Sequence, residues 1–285
     1  MMRVTTEGGK LFCIAELKDR FGVYLDNDSL MDMAKGPAAR RGRFVGALRT
    51  RGALLFSLTN AAEVAGPQGA SASAVRAFLE AVGPYWVPLE LNPWTVVKRE
   101  EAGLGDRAPL SDGFMKAYPQ QRVNDLSEGG RSVLDLSAEN FFRLGAVVDW
   151  VQEDRDNIRE EATEMDQTLR DKLRQLRVNY EKDPASLDRL LPPVSFKEQR
   201  RATFVLVHIL RMLVLEAKAF QFTAHDALDL CHAVLGAAYG SLATLDKQWK
   251  RRVENLPKPN RLAKIYYRPK LDQLVDLLDL LVRAK

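Results

Sequence analysis

Short apolar runs alternate with segments of helical periodicity over the first hundred residues of the chain. Residues 21–26, 53–59 and 85–89 are largely apolar runs of strand length. Apolar residues recur at helical spacing in the segments that follow these runs, which predicts helices over 29–35, 38–51, 61–65, 75–82 and 93–102. A turn-rich loop is predicted over 66–73. This alternation of strand and helix is typical of an α/β fold with a parallel sheet and right-handed crossovers.

The pattern changes between residues 103 and 220. Residues 103–130 are rich in Gly, Ser, Asp and Pro, which predicts a long loop. Residues 137–180 are highly charged, with apolar positions at helical spacing, and predict one long helix or two in series. Residues 196–220 are apolar almost all round in their middle and predict a buried helix. We therefore expect an all-helical insertion at 104–220, which divides the α/β domain into parts 1–103 and 221–285.

The α/β pattern returns after the insertion. The stretch TAHDALDLCHAVLGAAYGSLATLD, at 223–246, predicts a helix with acids in its first turns, a turn, and a short strand that ends on Asp246. A helix over 248–254, a strand over 262–267 and an amphipathic helix over 271–282 are predicted to close the chain.

The composition of the 285-residue chain suits a packed cytoplasmic protein. Its apolar fraction of 46% is sufficient for a core, and its first ten residues lack the apolar stretch of a secretory signal. The longest apolar run, 204–215, is interrupted by His208 and Arg211 and is too short to span a bilayer. Cys13 and Cys231 lie in no CxxC pair, so we expect neither a zinc site nor a disulfide framework.

The net charge of +4 is distributed unevenly along the chain. Residues 247–270 hold nine basic residues against one acidic residue, a net +8, and a second basic cluster occupies 40–51. Such clusters can follow a phosphate backbone, although a solvated surface has the same composition. The candidate nucleic-acid-binding residues are Arg40, Arg41, Arg43, Lys247, Lys250, Arg251 and Arg252.

Carboxylates stand at the carboxyl ends of the predicted strands and at one helix start. Asp26 closes the first strand, Glu63 follows the second behind a predicted N-cap at Thr59 or Asn60, and Asp246 closes a later strand. Because ligands bind at the carboxyl ends of strands in open α/β sheets, we expect these acids to converge. Asp226 and Asp229 lie three apart and share a helix face, so either or both can join them.

Oxygen-rich clusters of this kind bind Mg²⁺ or Mn²⁺. Two such ions can activate a water molecule and stabilise the leaving oxygen of a phosphodiester. An acid at a single strand end or helix cap is more often structural, so the prediction rests on the group. His232 follows Asp229 by three and is interpreted as a hydrogen-bonded structural histidine, with contact to an acid or a phosphate as the alternative.

Four segments together resemble the PIN-domain nucleases (PilT N-terminus-like): FGVYLDNDSL, SLTNAAEV, DALDLCHAVLGAAY and LATLDKQW. The resemblance covers residues 21–103 and 221–285. It implies a three-layer α/β/α fold with a central parallel sheet. The acids that match the family pattern are Asp26, Glu63, Asp229 (or Asp226) and Asp246.

The resemblance implies a Mg²⁺- or Mn²⁺-dependent endonuclease that acts on single-stranded or structured RNA. Asp26, Glu63, Asp229 and Asp246 would be catalytic, and the metal ligands would be these four acids together with Asp226. The chain departs from the family in its long insertion, which is the predicted contact site for a second copy or a partner protein. The rival interpretations are a non-catalytic PIN-like scaffold or interaction module, and a metal hydrolase of small substrates, for which no basic tract after Asp246 is expected.

Overall fold

In the computed structural model, residues 1–7, 10–17, 19–64, 70–128, 141–153 and 155–284 are described. The strands of this part of the chain form a two-stranded antiparallel hairpin and a five-stranded sheet. Their bounds are β1 (Met2–Glu7), β2 (Lys10–Ala15), β3 (Phe21–Tyr24), β4 (Gly52–Ser57), β5 (Trp86–Leu89), β6 (Leu242–Thr244) and β7 (Lys264–Tyr266). The five-stranded sheet has the order β5-β4-β3-β6-β7, and all its neighbours are parallel.

The helices of the described residues alternate with the strands, and several of them lie between β5 and β6. They are α1 (Asn27–Lys35), α2 (Ala38–Thr50), α3 (Leu58–Val64), α4 (Ala70–Val82), α5 (Pro93–Glu101), α6 (Asp112–Glu128), α7 (Leu144–Glu153), α8 (Arg155–Lys182), α9 (Ser186–Leu190), α10 (Arg201–Leu215), α11 (Ala224–Tyr239), α12 (Lys247–Glu254) and α13 (Leu271–Arg283). No helix in the described ranges combines the length and apolarity needed to cross a bilayer.

The sheet is covered by helices on both faces because successive strand residues point to opposite sides. Val23 and Leu25 lie in one core, while Tyr24 lies in the other. Helices α1–α4, α6, α7 and α13 supply the first core, and α5 and α9–α12 supply the second. The prediction of an α/β fold around a parallel sheet is confirmed, and the two covered faces are compatible with three layers.

The described part of the predicted insertion (104–128, 141–153 and 155–220) is mainly helical and contributes to both cores. Phe114 of α6 and Leu144 of α7 lie in the first core, and Phe204 of α10 lies in the second. Helix α8 places Ile158 in the first core and Leu169 in the second. These helices therefore complete the covering of the sheet, while the division of the chain into domains stays a prediction.

The prediction of a loop over 103–130 is wrong, because α6 occupies much of that range. Ser111 Oγ accepts a hydrogen bond from Phe114 N (3.3 Å) at the start of the helix, and Phe114 stacks on Tyr118 with ring centroids 5.1 Å apart. Both aromatic side chains are buried in the first core. Tertiary packing thus holds a helix in a segment whose Gly and Pro content disfavours one.

The helix predicted over 196–220 is shorter in the structure and begins at Arg201. The buried carboxylate of Glu100 accepts hydrogen bonds from Ala202 N and Thr203 N, each at 2.8 Å, and from Thr203 Oγ1. A carboxylate from α5 therefore caps the first turn of α10 and fixes its start. The loop predicted over 66–73 falls partly on residues 66–69, which lie outside the described residues, and its last four residues belong to α4.

Candidate active site

A cleft of about 150 Å³ lies at the carboxyl edge of the sheet, beside the central strand β3. Strands β3, β4 and β6 are parallel neighbours, so the residues that follow them meet at this edge. The cleft is lined by Asp26, Asn27, Asp28, Glu63, His225, Leu228, Asp229, His232, Leu245, Asp246 and Trp249. Four of the five acids expected to converge therefore line one cleft, and they come from four separate parts of the chain.

Asp26 is held in place from two directions. Its Oδ1 accepts from Ser29 N (2.9 Å) and caps α1, and it also accepts from the hydroxyl of Thr244 (3.2 Å) at the end of β6. Asp26 N donates to the same Thr244 Oγ1 at 2.9 Å. Burial raises the pKa of Asp26, and the hydrogen bonds from Ser29 and Thr244 oppose that rise.

Glu63 reaches the cleft from α3, which starts directly at the end of β4. The predicted N-cap at Thr59 or Asn60 is wrong, because the helix begins at Leu58 and Ser57 Oγ accepts from Asn60 N (3.1 Å). Glu63 Oε2 is buried and has no hydrogen-bond partner among the described residues. Burial, followed by repulsion from Asp229, raises the pKa of Glu63 to about 7.

Helix α11 separates the two acids that the sequence left as alternatives. Asp226 forms a capping box with Thr223: its Oδ2 accepts from Thr223 N (2.8 Å) and Oγ1 (2.6 Å), and Asp226 N donates back. Asp229, one turn on, lines the cleft, where burial raises its pKa to about 6 against the opposing effect of His225. The geometry thus gives Asp226 a local structural partner and leaves Asp229 facing the other acids.

Asp246 follows β6 and caps α12, with its Oδ1 accepting from Trp249 N at 2.7 Å. Among the described residues, no three acidic, histidine or cysteine side chains already stand at metal-binding separations. The chemistry of the cleft nevertheless fits a divalent cation. Glu63 offers a buried oxygen that has no hydrogen-bond partner in the described part of the chain, and Asp26 and Asp229 are carboxylates whose charge is disfavoured by burial.

The four basic residues of α12 fall into two groups, one without and one with a partner inside the protein. Lys247 and Arg251 are exposed, lie four residues apart, and have no side-chain ion pair or hydrogen bond within the described ranges. Lys250 is paired with Glu254 of the same helix. Arg252 is buried, pairs with Glu216 at 2.8 Å, and lies over the ring of Phe220. Of the four candidates on this helix, Lys247 and Arg251 are thus available to a ligand.

The arginines of α2 are engaged within the molecule. Arg43 bonds to Asp276 (2.7 Å) and Asp279 (2.8 Å) of α13. Arg40 donates to the carbonyl of Asp32 (2.8 Å). Arg41 donates to the carbonyl of Ala34 (3.1 Å) and to that of Gly36. These contacts join α1, α2 and α13, and the structure does not bring the three arginines into the acidic cleft.

Two functional candidates were missed by the sequence analysis. Arg268 follows β7 just as Asp246 follows β6, and it forms a bidentate pair with Asp32 while Nη1 lies 3.6 Å from Asp28, which lines the cleft. The strand-end rule that found the acids would also have found this arginine. Tyr24 was missed because its partner His232 is 208 residues away and no local signal joins them.

A larger cavity of about 470 Å³ lies between α2 and α4. Its lining consists mainly of Ala and Gly with Val45 and Phe78, and its charged members are Arg41 and Arg49. Such a lining offers little for acid–base or metal chemistry, so the smaller acidic cleft is the candidate active site.

No family model matches the chain, and no curated protein or solved structure shows significant similarity to it. The resemblance to PIN-domain nucleases therefore rests on the short motifs of this chain.

Proposed function

We propose that the acidic cleft is the active site of a metal-dependent endonuclease that hydrolyses phosphodiester bonds, with single-stranded or structured RNA as its substrate. The observation that carries this proposal is the convergence of Asp26, Glu63, Asp229 and Asp246 at the carboxyl edge of a parallel sheet. The resemblance of the motifs to PIN-domain nucleases supports the same activity and supports RNA over DNA.

The four carboxylates would hold Mg²⁺ or Mn²⁺. When bound, such ions supply Lewis acidity that makes water a better nucleophile and stabilises charge on the leaving oxygen. Asp26 and Asp246 each use Oδ1 to cap a helix, so the protein fixes the orientation of both carboxylates before any ligand arrives. Glu63 and Asp229 complete the negative lining from α3 and α11.

Cations near the cleft would bind the phosphate backbone of the substrate. Lys247 and Arg251 extend from α12 directly after Asp246 and can pair with backbone phosphates on the same side. Arg268 is paired with Asp32 and lies 3.6 Å from Asp28, so its charge is already engaged by carboxylates. The substrate backbone would therefore cross the carboxyl edge of the sheet on the side of α12.

The decisive experiment is cleavage of labelled single-stranded RNA and DNA by the pure protein with Mg²⁺, Mn²⁺ or EDTA. We expect cleavage of RNA with either ion and its loss in EDTA and in Asp26→Asn and Asp246→Asn. Asp229→Asn should abolish turnover, whereas the matched Asp226→Asn should affect mainly helix stability. Undiminished cleavage in EDTA, or equal activity of Asp229→Asn and the parent, would overturn the proposal.

A non-catalytic scaffold is favoured by one observation: within the described ranges, the acids do not form a group of three at metal-binding separations. On that interpretation the acids are residual and the helices of residues 104–220 contact a second copy or a partner protein. Thermal unfolding with and without Mn²⁺ separates the two functions. Stabilisation by Mn²⁺ that is lost in Asp26→Asn supports the enzyme, and an unchanged melting temperature supports the scaffold.

A further inference from the structure

A buried hydrogen-bonded pair lies beneath the acidic cleft. The hydroxyl of Tyr24, on the central strand, meets Nδ1 of His232 on α11. Both side chains are buried, and their ring centroids are 5.8 Å apart. His232 is also part of the lining of the cleft, so this pair connects the core of the molecule to the proposed site.

The direction of the hydrogen bond follows from the surroundings of the Tyr24 hydroxyl. Among the described residues, its hydrogen-bond partner is Nδ1 of His232. Oδ1 of Asn60 is already occupied by Ser57 N (3.2 Å) and Ser57 Oγ (2.9 Å), and Asn60 Nδ2 makes no hydrogen bond within the described ranges. A buried hydroxyl donor is costly to leave unsatisfied, and Nδ1 is the acceptor that it meets, so Tyr24 donates to Nδ1 of His232.

This direction fixes the tautomer of the imidazole. A neutral histidine has one N–H, and when Nδ1 accepts a hydrogen bond the proton lies on Nε2. Burial lowers the pKa of His232 to about 4, so the ring is neutral at pH 7. With Nδ1 occupied by Tyr24 in the core, Nε2–H is the ring donor left for the cleft.

We propose that His232 is a substrate-binding residue, and that its Nε2–H, fixed by Tyr24, donates a hydrogen bond to a phosphate oxygen of the nucleic-acid strand. This inference rests on the proposed nuclease function. The lining of the cleft is dominated by carboxylates, which repel phosphate. A neutral donor among them can bind a phosphate oxygen without forming a permanent ion pair with the neighbouring acids.

The packing around Tyr24 holds the pair in a single arrangement. At Gly236, about one turn beyond His232 on α11, an added Cβ would lie 2.7 Å from Cδ1 of Tyr24. The helix therefore approaches the tyrosine ring as closely as a glycine allows. A donor positioned in this way loses little conformational entropy when a ligand binds.

Two substitutions of His232 separate a binding role from a structural one. The amide of Asn reaches the position of Nδ1 and can accept from Tyr24, but it falls short of the position of Nε2. The amide of Gln reaches the position of Nε2 and offers an N–H there, but it leaves Tyr24 without its acceptor. We expect His232→Asn to lower kcat/KM for RNA cleavage by about 10- to 100-fold through weaker substrate binding, and His232→Gln to lower it much less.

The melting temperatures should follow the opposite order, with His232→Asn the more stable variant because it satisfies the buried hydroxyl. A purely structural histidine would give the same order in both measurements, with His232→Asn the better variant in each. That result would overturn the inference. His208→Gln is the matched control, because His208 bonds to the carbonyl of Val194 and lies outside the lining of the cleft; we expect parental kcat/KM.

Nitrogen NMR of the chain labelled in its three histidines tests the donor directly. We expect the Nε2–H tautomer for His232, and a shift of its Nε2 signal when a short oligoribonucleotide and Mg²⁺ bind the Asp246→Asn variant. His208, which bonds to the carbonyl of Val194 at 2.9 Å, is the internal control.

The outcomes distinguish the two proposals. Binding of the oligoribonucleotide with an unchanged Nε2 signal, or an Nδ1–H tautomer, would overturn the role of His232 and leave the nuclease standing. Absence of both binding and cleavage would overturn the nuclease and, with it, the phosphate that His232 is proposed to bind.

Discussion

At the scale of single residues, the ionised form of Glu63 is disfavoured by its buried position. Its Oε2 is buried without a partner among the described residues, and burial raises its pKa to about 7 from the ordinary value of 4.5. When the pKa of a carboxyl group is higher in the folded state than in the unfolded state, the group stabilises the fold below its unfolded-state pKa. That contribution to stability is lost as the pH rises through the folded-state pKa. The metal-free protein should therefore lose stability between about pH 4.5 and pH 7.

Glu63→Gln should remove this dependence, because the amide stays neutral throughout. Relative to the parent, the variant should gain up to about 3 kcal/mol of unfolding free energy between pH 5 and pH 8, at roughly 1.4 kcal/mol per pKa unit. Urea unfolding in EDTA at several pH values measures the gain. Addition of Mn²⁺ at pH 8 should stabilise the parent and so reduce the difference in unfolding free energy between the parent and the variant. A difference that does not change with pH would show that Glu63 is ionised in the fold at no cost.

At the scale of secondary-structure elements, α11 and β3 approach each other so closely at Gly236 that a side chain there would clash. A Cβ at Gly236 would lie 2.7 Å from Cδ1 of the buried Tyr24. Gly236→Ala should therefore destabilise the protein by about 1–3 kcal/mol through overpacking, even though alanine is the better helix former.

Gly46→Ala on α2 is the matched control, because a Cβ there meets nothing within 4 Å. This substitution should stabilise the protein by about 0.5–1 kcal/mol through helix propensity alone. Opposite signs for the two glycines in chemical unfolding would support the close packing of α11 on Tyr24. Stabilisation by both would mean that the helix stands further from the strand.

Strands and amphipathic helices were predictable where burial alone sets the pattern. The runs at 53–59 and 85–89 correspond to β4 and β5, and the segment at 271–282 corresponds to α13. Helix α6 was not predictable, because Phe114 and Tyr118 are held by aromatic neighbours that the fold brings from elsewhere, among them Trp86 and Trp150. A Gly- and Pro-containing segment becomes helical when such distant contacts outweigh its intrinsic preference.

The candidate site was predictable only as far as strand ends position it. Asp26 and Asp246 follow adjacent parallel strands, so their proximity is a consequence of topology. The choice between Asp226 and Asp229 required the capping box, and the burial of Arg252 required its pairing with Glu216. The proposed donor at His232 depends on a contact across most of the chain, which no local pattern contains.

At the scale of the whole molecule, part of the positive charge is neutralised by ion pairs within the protein. Arg43 on α2 is paired with Asp276 and Asp279 of α13. On α12, Lys247 and Arg251 have no such side-chain partner within the described ranges. The net charge of the chain therefore says little about where phosphate binds, and the unpaired cations beside Asp246 are the ones expected to attract it.

Joint replacement of Lys247 and Arg251 by Gln should weaken RNA binding with little dependence on sequence. Each lost phosphate contact lowers the slope of log affinity against log salt by roughly 0.7 for a single strand, so the double variant should lose about one to one and a half units. Titration of a fluorescent oligoribonucleotide at several salt concentrations, on the Asp246→Asn background, measures the slope. Arg43→Gln is the matched control, since its charge is already neutralised by two carboxylates, and it should leave the slope unchanged. Loss of slope in Arg43→Gln but not in the double variant would place the bound strand across α2 and α13, away from the acidic cleft.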